Sequence, residues 1–176
     1  GDRSRGKVQQ LVSENTNRPT VLVIDDNTDI RQYERTLLQD EYIVLEAADG
    51  KEGLAVALKE VPDLVICDVM MPVMDGLEFT KQLKTNMATS HIPVIMLTAK
   101  NLEEHRAEGY EHGADSYITK PFHSKVLLAR IENLLRQRQL LKHLYQGTKE
   151  TEKEISESLL EDRDKQFLKQ LQAIIQ

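Results

Sequence analysis

Five short apolar runs stand at intervals along the chain: TVLVID (20–25), YIVLEA (42–47), DLVICD (63–68), PVIMLT (93–98) and DSYITK (115–120). Helically spaced stretches follow them, at 28–40, 50–60, 76–85, 101–112 and 124–146. In the first, Ile30, Tyr33, Leu37 and Leu38 are expected to share a face. In the second, Leu54, Ala57 and Leu58 do so, and in the third Leu77, Phe79, Thr80 and Leu83. The fourth is charged and weakly apolar; the last is long and strongly apolar on one side. Strands alternating with helices specify an α/β domain with a parallel sheet. VLVI and LVIC lack polar alternation, as strands buried on both faces should, and crossovers of this length are right-handed.

The 176 residues, 40% of them hydrophobic, suit one domain of ordinary size plus extra chain. A net charge of -6 does not favour nucleic acid as a direct partner of this segment. The single cysteine, Cys67, allows no internal disulfide and fits a reducing compartment. No run approaches the ~18 apolar residues of a membrane span, and no signal peptide is visible, so a cytoplasmic location without membrane contact is expected. The chain begins GDRSRGKVQQ, without an initiator methionine, and is expected to be a piece of a longer protein. Residues 1–18 are polar and read as a linker. Gly147 is expected to cap the long helix, ahead of a charged linker at 147–164. Residues 165–176 then put Phe167, Leu168, Leu171, Ile174 and Ile175 at helical spacing, as in the first helix of another domain.

In an open parallel sheet, ligands bind outside the carboxyl ends of the strands. Strand one here ends in Asp25 and Asp26, strand three in Asp68, strand four in Thr98 and strand five in Lys120. Each alone is ordinary turn or cap chemistry; together they put three carboxylates, a hydroxyl and an ammonium on one edge. Three clustered carboxylates are costly in a partly buried cleft. Lys120 offsets one charge and a divalent cation offsets two; carboxylates, a backbone carbonyl and waters are what Mg²⁺ accepts. Such a site also suits phosphoryl transfer to a carboxylate.

VLVIDDN, DLVICDVMMPVMDGLEF, IPVIMLTA and GADSYITKPF resemble the receiver domain of bacterial response regulators, the CheY-like family, over residues 19–140. The spacings are also similar: 42 residues from Asp26 to Asp68, 30 to Thr98 and 22 to Lys120. The resemblance implies a flavodoxin-like, doubly wound, five-stranded parallel sheet of order 2-1-3-4-5, with an extended C-terminal helix. It implies that Asp68 accepts a phosphoryl group from a phosphohistidine of a sensor histidine kinase. Mg²⁺ would be held by Asp25, Asp26, Asp68 and the carbonyl of Met70. Lys120 would contact the phosphoryl oxygens, Thr98 would move to hydrogen-bond them, and Ala99 is small enough to allow that approach. Tyr117 would swing inward, and Lys120–Pro121 would be a cis peptide. Phosphorylation would remodel the face made by the fourth helical stretch, the fifth strand and the fifth helix. Met70 and Lys100 flank the path of attacking water, which implies slow to moderate loss of the phosphoryl group.

The receiver is expected to fill residues 19–146. The long last helix reads either as a core-packed helix with a ragged extension or as a dimer-forming, signal-carrying helix. A homodimer through that helix, or through the switching face, is one expected assembly. DRDKQFLKQLQAIIQ resembles the lead-in to an AraC-type helix-turn-helix domain in hybrid two-component regulators, where a histidine kinase precedes the receiver. The fragment itself should bind no DNA. Its histidines lack the surroundings of a kinase phosphoacceptor; His105 and His112 are read as solvated. The fragment is expected to turn over no metabolite, beyond its own Mg²⁺-dependent phosphorylation and dephosphorylation. A phosphatase of the haloacid dehalogenase type is the rival reading. It wants Asp-x-Asp on the first strand, whereas this pair is adjacent and followed by Asn27. A degenerate receiver acting only as a docking surface is a third reading, against which Asp26, Asp68, Thr98 and Lys120 all stand.

Overall fold

The computed structural model describes residues 17–99 and 113–175, without the side chains of 149, 161, 162 and 164–175. Most of the linker expected at 1–18, Lys100, and the fourth helical stretch with His105 and His112 therefore lie outside the described residues, as do the side chains of the terminal helix. The elements in chain order are β1 (Thr20–Ile24), α1 (Thr28–Leu38), β2 (Ile43–Ala47), α2 (Gly50–Glu60) and β3 (Leu64–Asp68). They continue with α3 (Gly76–Thr85), β4 (Val94–Ala99), β5 (Ser116–Lys120) and α4 (Ser124–Ile175). The chain divides into two units, residues 1–135 and 136–176; the first contains the sheet and the described part of the second is helix.

The strands pair in the order β2-β1-β3-β4-β5, every pair parallel. Successive residues of a strand serve opposite faces. Leu22, Ile24, Val65 and Cys67 join Ala57, Phe79 and Leu83 on one side. Val21, Val23, Leu64 and Ile66 join Leu38, Leu127 and Ile131 on the other. Both faces are covered, so the inner strands carry no polar alternation.

Each of the first three helices starts just beyond a strand's carboxyl end, behind a capping side chain. Asn27 accepts from the N–H groups of Asp29 and Ile30, Asp49 from that of Glu52 and Asp75 from that of Glu78. These caps satisfy donors that the first turn leaves open. Glu52 also accepts from the Ala48 N–H at 3.0 Å, one residue before the cap.

Two readings of helix faces and one of a helix end need correction. On α1, Leu38 is buried as expected, but Tyr33 is 53% exposed and Glu34 takes its place on the inward row. One position turns the side chain by roughly 100°, enough to move Tyr33 off the face and Glu34 onto it. On α2, Ala57 is buried but Leu58 is 43% exposed. Gly147 does not cap α4: the helix runs through it, its surroundings are open, and Gly113 is the one described glycine with positive φ. Flanking helix formers outweigh the roughly 1 kcal/mol that an interior glycine costs. The charged stretch 147–164 is accordingly helical. All four residues expected to face inward on α3 are buried, and Lys120–Pro121 is cis.

Phe79 is the largest fully buried side chain among the described residues. Phe79→Ala should lower unfolding free energy by about 3–5 kcal/mol, read as a shifted urea midpoint.

Candidate functional site

The candidate site lies beyond the carboxyl ends of β1, β3, β4 and β5. Asp25 follows β1 directly and is 1% exposed. Its N–H donates to the Ala47 carbonyl at 3.2 Å, and its Oδ1 accepts from the Asn27 N–H at 2.9 Å. Its carbonyl accepts from Arg31 Nη1 at 2.6 Å. Asp26, next in the chain, is exposed. Asp68 ends β3; its Oδ1 accepts from the Met70 N–H at 3.1 Å. Its Oδ2 accepts from Lys120 Nζ at 2.8 Å. The same ammonium lies 3.6 Å from Asp25 Oδ2. Thus Lys120, at the end of β5, pairs with carboxylates that follow β1 and end β3.

One carboxylate oxygen from each of Asp25, Asp26 and Asp68 lies within 4.8 Å of the others. Asp25 Oδ2 is buried and accepts no hydrogen bond. Converging hard oxygen donors, one of them lacking a hydrogen, fit a divalent cation. Met70 touches this cluster through its N–H bond to Asp68, and its side chain is exposed.

Thr98 is buried at 2% exposure, and its hydroxyl donates to the Ala99 carbonyl at 3.4 Å, a long and weak bond. It makes no hydrogen bond to Asp68 or Lys120 among the described residues. Ala99 sits opposite Lys120 in the β4–β5 register. Tyr117 already lies inward, 3% exposed within the core. The structure therefore brings Asp25, Asp26, Asp68 and Lys120 together, places Ala99 beside Lys120, and leaves the Thr98 hydroxyl turned to its own neighbour.

Charge at this edge is crowded. Burial raises Asp25 to a pKa of about 6; the Asn27 N–H and Lys120 pull it down, while Asp68 pushes it up. Burial alone would lower Lys120, but its hydrogen bond to Asp68 and the charges of Asp68, Asp25 and Glu34 hold it above its ordinary value. Burial pushes the Cys67 thiol up as well, and nearby carboxylates add to this. That thiol donates to the Asp68 carbonyl at 3.3 Å and is not a nucleophile in this state.

Sequence reasoning missed Arg31 and Glu34. Arg31 also pairs with Glu46 at 3.7 Å, so it braces the end of β1. Glu34 is 1% exposed and neither carboxylate oxygen accepts a hydrogen bond. Burial first, and then the charge of Asp25, raise its pKa to about 8, so it is largely neutral at pH 7. The available signal was its position four residues from both Ile30 and Leu38, on a row that must face the sheet.

The fold and site are those of a doubly wound parallel α/β domain with a lysine-paired acidic cluster at its carboxyl edge. The family model for the response regulator receiver domain matches residues 21–132. Histidine kinase P4 of Formosa agariphila is 38% identical over 170 residues, covering 96% of this chain and 12% of that protein. Transcriptional regulatory protein ResD of Bacillus subtilis is 43% identical over 122 residues, covering 69% of this chain and 50% of that one. The solved structure of the chemotaxis protein CheY4 of Vibrio cholerae superposes with a TM-score of 0.63 at 40% identity, covering 66% of this chain and 98% of that one. The chain belongs to the response regulator receiver family, which works in two-component phosphotransfer signalling. It spans half or less of the curated relatives named here.

Two expectations follow from the buried acids. Both have folded pKa values raised above their unfolded ones, so each costs stability as pH climbs from its unfolded to its folded value. For Glu34 that window is 4.5 to about 8, worth on the order of 4–5 kcal/mol at its upper end. Glu34→Leu should remove this decline and gain several kcal/mol at pH 8, measured by urea unfolding across pH. Asp25→Asn keeps an acceptor for the Asn27 N–H and removes a buried charge. It should stabilise the cation-free domain by about 1–3 kcal/mol at pH 7.5 and weaken divalent-cation binding in a calorimetric titration.

Proposed function

We propose that Asp68 accepts a phosphoryl group from a phosphohistidine on a sensor histidine kinase. The observation that carries this reading is the placement of Asp68: its Oδ2 is held by Lys120 at 2.8 Å within a cluster of three carboxylates. A carboxylate oxygen of Asp68 attacks phosphorus, the P–N bond breaks, and the imidazole leaves with the bonding pair and takes up a proton. The product is an acyl phosphate. Asp25, Asp26, Asp68 and the Met70 carbonyl would hold Mg²⁺, which supplies charge neutralisation for the transferring group. Lys120 keeps its ammonium at the phosphoryl oxygens, moving from carboxylate to phosphate as charge builds there.

The switch then works through new hydrogen bonds to the modified side chain. The phosphoryl group carries about -2 charge and three acceptor oxygens. Thr98 exchanges its long bond to Ala99 for one of those oxygens, Ala99 leaves room for the approach, and Tyr117 stays packed inward. The altered face includes β5 and the first turns of α4. That face controls an output domain for transcription, and it or α4 pairs the chain with a second copy. Leu141, Leu144, Ile155 and Leu159 are exposed on α4 and support a helix with a partner.

The parent is read as a cytoplasmically exposed hybrid regulator, with a kinase before the receiver and an AraC-type DNA-binding domain after it. Residues 147–175 continue α4 without a break and would form the link toward that domain. Relatives named as a histidine kinase and as transcriptional regulators support a kinase or transcription-regulator parent, and the AraC-type output rests on the sequence resemblance alone. No described helix is long and apolar enough to cross a membrane. The receiver segment turns over no metabolite beyond its own phosphorylation and dephosphorylation.

Acetyl phosphate with Mg²⁺ should add one phosphoryl group to the wild type, seen by intact mass. Asp68→Asn, or omission of Mg²⁺, should abolish the addition; persistence in the variant would move the acceptor elsewhere.

A further inference from the structure

The loop between β3 and α3, residues 69–75, follows Asp68 and includes Met70. Its ends are tied to the loop's own surroundings. The Val69 N–H donates to the Leu97 carbonyl at 3.0 Å, and the Gly76 N–H donates to the Val69 carbonyl at 2.9 Å. Its middle is different. The Met74 N–H donates to the Pro72 carbonyl at 2.8 Å, across Val73, whose φ is +70°. A β-branched residue in that region is strained and persists only where its surroundings over-determine it. Val73 is 78% exposed, so its own side chain contributes little to holding it.

The hold comes from α2. The N–H of Gly50, the first residue of α2, donates to the Met74 carbonyl at 3.1 Å. This donor belongs to the first turn and has no acceptor within its helix. The approach depends on the missing side chain: a Cβ on Gly50 would lie 2.5 Å from the Met74 carbonyl oxygen and 2.9 Å from its Cγ. Three residues earlier, the Ala47 carbonyl accepts the N–H of Asp25. The junction at 47–50 therefore grips both halves of the acidic cluster, the β1 end and the loop after β3.

We propose that Gly50 is a positioning residue for phosphoryl transfer. It lets α2 clamp the strained turn at Val73, and so fixes Asp68 and the Met70 carbonyl in register with Asp25 and Asp26. The proposal rests on the receiver reading above.

Gly53 supplies the control. It lies on the same helix, but a Cβ there meets the flexible Cδ1 of the Ile24 side chain rather than backbone of the loop. Modification by acetyl phosphate is followed by intact mass across a Mg²⁺ titration, with thermal melting alongside. Gly50→Ala should raise the Mg²⁺ concentration for half-maximal rate about ten-fold or more. Gly53→Ala should lower the melting temperature and leave that concentration unchanged. A wild-type Mg²⁺ dependence in Gly50→Ala, or equal shifts in both variants, overturns the proposal. If the wild type takes up no phosphoryl group, the receiver reading itself falls, and this inference with it. If Gly50→Ala does not fold, amide exchange in the wild type decides. Slow exchange of the Gly50 N–H supports the clamp, and exchange as fast as a solvent-exposed amide overturns it.

Discussion

The structure turns on one ammonium among carboxylates. Lys120 reaches Asp68 at 2.8 Å and stands 3.6 Å from Asp25, across the intervening strand β4. That reach is possible because β4 ends in small residues, with Ala99 opposite Lys120 in the register. It also requires β5 to lie two strands from β3, which the order β2-β1-β3-β4-β5 provides. Because every strand pair is parallel, the start of each following described helix comes to the same edge. The N-termini of α1, α2 and α3 add positive partial charge there, a modest offset to the acidic cluster.

The edge is nevertheless built against the stability of the fold. Asp25 is buried as an acid with one oxygen lacking any hydrogen-bond donor. Glu34 is buried on the inner face of α1 with neither oxygen satisfied. In an apolar setting such groups shift their pKa upward and carry a proton instead of a charge. Glu34 is thus mostly neutral near pH 7, whereas Asp25 is kept closer to ionisation by Lys120 and the Asn27 N–H. Local rules are broken most often where a protein does its chemistry.

Much of this was legible in the sequence. The strands announced themselves because burial on two faces removes polar alternation, leaving runs such as VLVI and LVIC. The acidic edge followed, since in a parallel sheet the residue ending each run falls on one side. The helix faces were less secure. Tyr33 and Glu34 are one residue apart, and hydrophobicity favoured the tyrosine, but the row of Ile30 and Leu38 faces the sheet and takes Glu34 with it. Gly147 looked like a stop because glycine often ends helices; nothing packs against it, so its neighbours' helix preference prevails. The hydroxyl of Thr98 could be placed at the edge but not oriented, because a rotamer depends on contacts that sequence does not specify.

The buried, donor-less oxygen of Asp25 has a thermodynamic consequence. Unfolding disperses the three carboxylates, so a divalent cation that binds them together binds the folded chain alone. Folding and cation binding then become one linked equilibrium, in which a hundredfold excess over the dissociation constant adds about 2.7 kcal/mol to stability. The same crowding that weakens the empty domain makes its melting point a gauge of free cation concentration.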